Sequence, residues 1–122
     1  MAFIIYNPSA TSNGDKTITL DKFGRIYMSA ALREDLGAKG VPFKAHLAYD
    51  PESDTIGIAR PGTVSGTDDV APVTFDAKRS YASVRPFLHK HKLMPTDKPR
   101  IYVFTERKNG WYSFRPAEKE GA

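Results

Sequence analysis

The first half of the sequence alternates short runs of β-type residues with turn formers. Four such runs cover residues 17–21, 25–28, 43–49 and 55–59, and turn formers or a short helical segment separate them. Strands this short, with one helix of about two turns among them, bury too little apolar surface to close a core alone. This segment therefore cannot close a core alone, whereas two interleaved copies of it can.

The helical segment covers residues 30–36 and has clear ends. The Ser29 hydroxyl suits an N-cap, Leu32 and Leu36 fall on one helix face, and Gly37 stands where a left-handed C-cap would end the helix.

Residues 18–60 resemble the AbrB/SpoVT family. The resemblance rests on Gly24-Arg25-Ile26, Leu32-Arg33 and Leu36-Gly37, which match the family signature without a gap. It implies a swapped-hairpin β-barrel in which two interleaved copies complete one core, hence a homodimer.

The resemblance also implies that Arg25 and Arg33 contact DNA, since their planar guanidinium groups suit phosphate or guanine. The sequence departs from the family at Ser29, which replaces a proline, and at Ile18 and Glu34, which replace basic residues. The other interpretation of the two arginines is that they form fold-stabilising pairs with Asp21 or Asp35.

The second half of the sequence predicts a separate unit. Residues 61–71 read as a linker, Val73–Phe75 as a strand, and a helix starting at Ser83 would place Pro86 in its first turn. The Asn-Gly pair at residues 109–110 predicts a tight hairpin turn.

We therefore predict an α+β fold, an AbrB-like swapped-hairpin β-barrel dimer followed by a small β-α-β-β unit. The predicted divisions are an N-terminal strand and loop at 1–15, the AbrB-like domain at 16–60, the linker at 61–71, the basic helix-plus-hairpin unit at 72–116 and a tail at 117–122.

Basic side chains concentrate in the last third of the chain. Residues 77–116 contain 10 basic and 2 acidic side chains, a net charge of +8, whereas residues 1–76 contain 7 basic and 10 acidic ones, a net charge of −3. Such a basic block attracts nucleic-acid backbones through counterion release, although it also suits an acidic protein partner. The predicted DNA-binding residues are Lys22, Arg25, Arg33, Arg79, Arg85, Lys90, Lys92, Arg107, Lys108, Trp111 and Arg115.

Strand alternation sorts the predicted C-terminal hairpin into two faces. The inward residues would be Ile101, Val103, Thr105, Tyr112 and Phe114. The outward residues would be Tyr102, Phe104, Lys108, Trp111 and Arg115. The outward set would form an aromatic and basic surface of the kind that binds single strands. The alternative is that both faces are covered and Trp111 belongs to the core.

Several classes of function find no support in the sequence. Without cysteine there is no disulfide scaffold, thiolate zinc site or cysteine nucleophile. His89 and His91 fall on different sides of a helix, so their spacing does not indicate a shared zinc site. No phosphate loop and no Gly-x-Ser-x-Gly elbow occurs, so the motifs give no support for catalysis. We therefore predict no metal, no cofactor and no enzymatic activity.

The predicted function is a homodimeric DNA-binding protein, a transcriptional regulator. The alternatives are a protein-interaction module, such as an antitoxin or a phage-encoded inhibitor that binds an acidic host protein, and a single-stranded nucleic-acid binder. Because no run of about 20 apolar residues occurs and the start lacks the basic flank of a signal peptide, we predict a cytoplasmic location, in a bacterial cell or a phage-infected host.

Overall fold

A computed structural model of the chain describes residues 16–67 and 69–117. The described residues form one antiparallel sheet of eight strands with two short helices. The strands are β1 (Thr17–Leu20), β2 (Arg25–Met28), β3 (Phe43–Asp50), β4 (Thr55–Ala59), β5 (Val73–Phe75), β6 (Tyr81–Ser83), β7 (Arg100–Lys108) and β8 (Trp111–Pro116), and the helices are α1 (Ala30–Leu36) and α2 (Arg85–Lys90). The predicted strand and loop at 1–15 and residues 118–122 of the predicted tail lie outside this description.

The sheet curls into a nearly closed barrel. Its strand order is β5-β3-β4-β8-β7-β1-β2-β6, so the two end strands are consecutive in the sequence. The Asp76 amide, just after β5, donates a hydrogen bond of 3.0 Å to the Tyr81 carbonyl in β6. This contact brings the two edges of the sheet together.

The predicted caps of α1 are confirmed. The Ser29 hydroxyl accepts hydrogen bonds from the Leu32 amide at 3.3 Å and from the Thr17 amide at 3.0 Å, so the cap also ties the helix to the start of β1. Gly37 has a φ of 69°, the left-handed conformation that ends many helices. Leu32 and Leu36 are buried, as their spacing predicted.

The predicted helix near Pro86 is confirmed in part. Pro86 lies in the first turn of α2, where its missing amide costs nothing, but the helix begins at Arg85. Residues 81–83 form β6 instead, because they pair with β2 in the register Arg25↔Ser83.

The predicted Asn109-Gly110 turn is confirmed, with Lys108 opposite Trp111.

The core lies inside the barrel. Tyr102, Phe75 and Phe114 are the largest fully buried side chains of the described residues. Helix α1 follows β2 at one end of the barrel, and α2 begins beside Gly24 in the β1–β2 turn at the other end. No helix in the described ranges is both long enough and apolar enough to cross a membrane.

The predicted swapped-hairpin barrel dimer followed by a β-α-β-β unit is wrong. The hairpin β1–β2 pairs with β7 and β6, and the hairpin β3–β4 pairs with β5 and β8. Residues 73–116 thus supply, within the same chain, the strands that a second copy would have supplied. The core was expected to be shared with a second copy, but the partner strands are intramolecular.

The predicted faces of the β7–β8 hairpin are partly wrong. Tyr112 and Phe114 are buried as expected, but Tyr102 is fully buried and Ile101 is 48% exposed, the reverse of the prediction. A register shift between Phe104 and Glu106 leaves Thr105 unpaired in β7. One extra residue inverts the alternation of every residue before it.

Candidate nucleic-acid interface

A surface of aromatic and basic side chains lies on the outer face of the barrel at β2 and β6. In these strands Ile26, Met28 and Ala82 are buried, so the alternate residues face outward. We define the β2–β6 surface by these residues together with the adjoining turns. Its members are Lys22, Phe23, Arg25, Tyr27, Arg79, Tyr81 and Arg85.

The Arg25 guanidinium lies at the centre of this surface. Its Cζ is 5.1 Å from the centroid of the Phe23 ring, 5.5 Å from that of Tyr27 and 4.8 Å from that of Tyr81. The two tyrosine rings meet edge to face at 5.1 Å, because the strand register places them opposite each other. One cation therefore holds three rings together.

Asp21 fixes Arg25 in this position. Its carboxylate accepts a hydrogen bond of 2.8 Å from Arg25 Nε, and bonds of 2.9 Å from the amides of Phe23 and Arg25. Partial burial alone would raise the pKa of Asp21, but the hydrogen bonds from Arg25 and Phe23 outweigh it, and the pKa lies below its usual value. The sequence interpretation that paired Arg25 with Asp21 is confirmed.

The rest of the surface is open and positively charged. The Phe23 side chain, at the tip of the β1–β2 turn, is 60% exposed, with the Lys22 ammonium 5.5 Å from its ring centroid. Arg79 donates a hydrogen bond of 3.2 Å to the Tyr81 hydroxyl. Exposed Arg85 packs against Gly24. If Gly24 carried a Cβ, that atom would lie 2.6 Å from the Arg85 Cβ.

The other predicted DNA-binding residues lie away from this surface. Arg33 is on α1, beyond the far end of β2 from Arg25, and its Nε is buried without a hydrogen-bond partner among the described residues. Lys90 and Lys92 are exposed at the end of α2. Arg107 lies over the Tyr112 ring at 5.1 Å. The structure thus brings together Lys22, Arg25, Arg79 and Arg85 and separates them from the remaining set.

Three predicted residues, Lys108, Trp111 and Arg115, line a groove of about 400 Å³ on the outer face of β3, β4, β8 and β7. Trp111 is half-buried on this outer face, so it is not the core residue of the alternative prediction. Asp50 and Glu106 line the same groove and balance its two basic side chains. The groove is therefore close to neutral, unlike the β2–β6 surface.

Sequence reasoning missed the rings of the β2–β6 surface. Arg25 and Tyr27 are two residues apart in a predicted strand, so their common face was available from alternation alone. Tyr81 was given no place in a predicted strand, and its position beside Tyr27 follows only from the β2–β6 pairing.

A polar cluster joins the β3–β4 hairpin to β7. The Tyr49 and Tyr102 hydroxyls each donate a hydrogen bond of 2.8 Å to one oxygen of Asp54, and the Arg100 guanidinium lies 4.0 Å from the other. Burial and the bond to Asp54 raise the pKa of Tyr49 to about 12. Both tyrosines stay protonated at neutral pH, which suits a structural link.

Comparison of the chain with protein-family models, with curated proteins and with solved structures gives no match. The resemblance of residues 18–60 to the AbrB/SpoVT family stays a prediction from sequence.

No group of three or more histidine, cysteine or acidic residues that would hold a metal occurs in residues 16–67 and 69–117.

Proposed function

We propose that this protein binds single-stranded nucleic acid through the β2–β6 surface. The observation that carries the proposal is the Arg25 guanidinium held among the rings of Phe23, Tyr27 and Tyr81. Exposed Lys22, Arg79 and Arg85 surround these rings.

The chemistry of the surface fits an unpaired strand. Bases expose apolar faces that stack on aromatic rings, and the phosphates between them attract lysine and arginine. Phe23 offers an open ring, while Arg25 is already neutralised by Asp21 and serves to position the rings. Lys22, Arg79 and Arg85 remain for the phosphates.

A single strand fits this surface better than a duplex does. In a duplex the base faces are stacked on one another, so the exposed ring of Phe23 would have nothing to stack on. Insertion of a helix into a groove of duplex DNA also finds little support, because α2 has only six residues and the Arg33 Nε on α1 is buried. The predicted homodimeric regulator of duplex DNA and the predicted protein-interaction module stay predictions.

A titration tests the proposal. A fluorescein-labelled oligothymidylate of about 20 nucleotides and a duplex of the same length are titrated with protein at several salt concentrations, and anisotropy is read. We expect tighter binding of the single strand, with a slope of log K against log salt of about −2 for three phosphate contacts. No binding at low salt, or tighter binding of the duplex, would contradict the proposal.

Two alanine variants locate the binding surface. We expect Phe23→Ala to weaken binding of the oligothymidylate by about tenfold, since stacking on one ring contributes about 1–3 kcal/mol. Val41→Ala is the matched control, because Val41 is an exposed apolar side chain in the loop between α1 and β3, away from the β2–β6 surface. Equal loss in both variants would place the binding site elsewhere.

A further inference from the structure

The groove on β3, β4, β8 and β7 has features that nucleic-acid binding does not use. In the strand order, its middle strand β4 lies four places from β2, and its middle strand β8 lies four places from β6. The groove and the β2–β6 surface are therefore on opposite sides of the barrel. Its volume of about 400 Å³ is in the range of small-molecule sites.

The floor of the groove is an indole ring laid on a glycine. A Cβ on Gly57 would lie 3.0 Å from Trp111 Cε3, a tight contact, so the glycine lets the ring approach the β4 backbone closely. Gly57 pairs with Ser113 across β4 and β8, which puts both in the middle of the groove. The result is a flat aromatic floor with a hydroxyl beside it.

One wall is a chain of hydrogen-bonded polar side chains. Arg115 Nε donates to the Thr55 hydroxyl at 3.4 Å, the Thr55 and Ser53 hydroxyls are 2.7 Å apart, and the Ser53 hydroxyl donates to the Asp50 carboxylate at 2.9 Å. The chain holds alternating donors and acceptors in fixed positions before any ligand arrives.

The opposite wall comes from the bulge in β7. The Thr105 hydroxyl donates to the Ser113 carbonyl at 3.1 Å and so holds the extra residue in place. The next outward residues are Glu106 and Lys108. Neither forms an ion pair with another of the described residues. Within the described part of the chain, both side chains are therefore available to a ligand.

We propose that this groove binds a neutral saccharide, whose ring stacks on Trp111 and whose hydroxyl groups bond to the two walls. A sugar ring has an apolar face of C–H groups and a rim of hydroxyls that both donate and accept. The groove is lined by two carboxylates, Asp50 and Glu106, which accept hydrogen bonds, and by two cations, Lys108 and Arg115, which donate them. Such a lining suits a rim of hydroxyl groups.

Other ligand classes fit the groove less well. Asp50 and Glu106 would repel phosphates, so a nucleotide loses what it gains at Lys108 and Arg115. A peptide strand would need an open sheet edge, but β4 and β8 are paired on both sides. The proposal is independent of the nucleic-acid surface.

Tryptophan emission tests the proposal directly, because the sequence contains a single tryptophan. The intact protein is titrated with maltotriose, cellotriose and triacetylchitotriose, and with uridine as the competing class. We expect a saturable change in emission with at least one of the three saccharides, at a Kd between about 10 μM and 1 mM, and none with uridine. No change with any saccharide, or a saturable change with uridine alone, overturns the proposal.

A matched pair of variants assigns the signal to the groove. Glu106→Ala removes a lining carboxylate and should weaken saccharide binding at least about tenfold. Glu52→Ala removes an exposed carboxylate that does not line the groove and should leave the Kd unchanged. Both positions are exposed, so circular dichroism should show an unchanged fold. Equal affinities in the two variants overturn the proposal.

Discussion

Asp21 links the β1–β2 turn to the β2–β6 surface. It accepts two backbone amides, which shape the turn, and the Arg25 side chain, which holds the three rings. Replacing it would leave two turn amides and one guanidinium without their acceptor. The fold and the candidate site therefore depend on the same carboxylate.

We expect Asp21→Ala to lower the free energy of unfolding by about 1–3 kcal/mol at neutral pH, since hydrogen bonds to a charged group contribute this much. Asp35→Ala is the control, because the ion pair that Asp35 makes within the described residues, with Lys16 at 3.5 Å, is half-exposed, and its loss should cost under about 1 kcal/mol. Urea unfolding measures both. Equal losses would show that Asp21 is an ordinary surface residue.

The contribution of Asp21 depends on pH in one direction. Its pKa in the folded protein lies below the usual 3.8, so the folded state favours the charged form. That stabilisation is complete above the unfolded pKa and is lost as pH falls through the folded pKa. Urea unfolding should therefore show a constant difference between the wild type and Asp21→Ala above about pH 5, and a smaller one below pH 4.

Residue-scale prediction from the sequence succeeded where partners are close in the chain. Asp21 and Arg25 flank a tight turn, and Ser29 caps the helix that follows it, so local spacing was enough. Tyr27 and Tyr81 are far apart in the sequence, and only strand pairing brings them together. The basic residues of the surface were predicted, but the three rings that Arg25 holds together were not.

At the scale of elements, the β1–β2 turn packs directly on the start of α2. The Val84 amide donates to the Gly24 carbonyl at 2.7 Å. Gly24 has a φ of +83°, and a Cβ there would lie 2.6 Å from the Arg85 Cβ and 3.0 Å from its Cα. Both the backbone conformation and the close approach require glycine.

We expect Gly24→Ala to lower the melting temperature more than Gly40→Ala does. Gly40 also has a positive φ, +74°, but a Cβ there would have no neighbour within 4 Å, so its cost is the backbone strain of about 1–2 kcal/mol. Gly24→Ala adds the clash with α2, about 1–3 kcal/mol more. Similar melting temperatures in thermal unfolding would mean that α2 shifts away freely.

The bulge in β7 shows why an element can be found while its faces are misassigned. The Asn-Gly turn fixed the hairpin register from Lys108 and Trp111 outward, and the register held as far as Glu106. The unpaired Thr105 then reversed the faces of Tyr102 and Phe104. No glycine or proline marks that position, so the sequence carried no local signal for the bulge.

At the scale of the whole molecule, the two halves of the chain interleave around the barrel. Strand β4 lies between β3 and β8, and β1 lies between β7 and β2, so each half leaves unpaired edges that the other half covers. Local patterns predicted most of the strands, and the short-core argument predicted that residues 17–59 need a second copy to close their core, where the fold instead uses strands of the same chain. Which strands those are depends on long-range pairing, which no local pattern encodes.

The interleaving predicts that neither half folds alone. Two fragments, residues 1–66 and 67–122, should each lack a cooperative unfolding transition, because each exposes strand edges and half of the shared core. Mixed in equal amounts, they should reassemble, with Trp111 emission and cooperative urea unfolding restored toward those of the intact chain. Two independent domains would instead give two folded fragments that do not interact. Because Trp111 is half-buried against Gly57 of the other fragment, its emission reports the assembly directly.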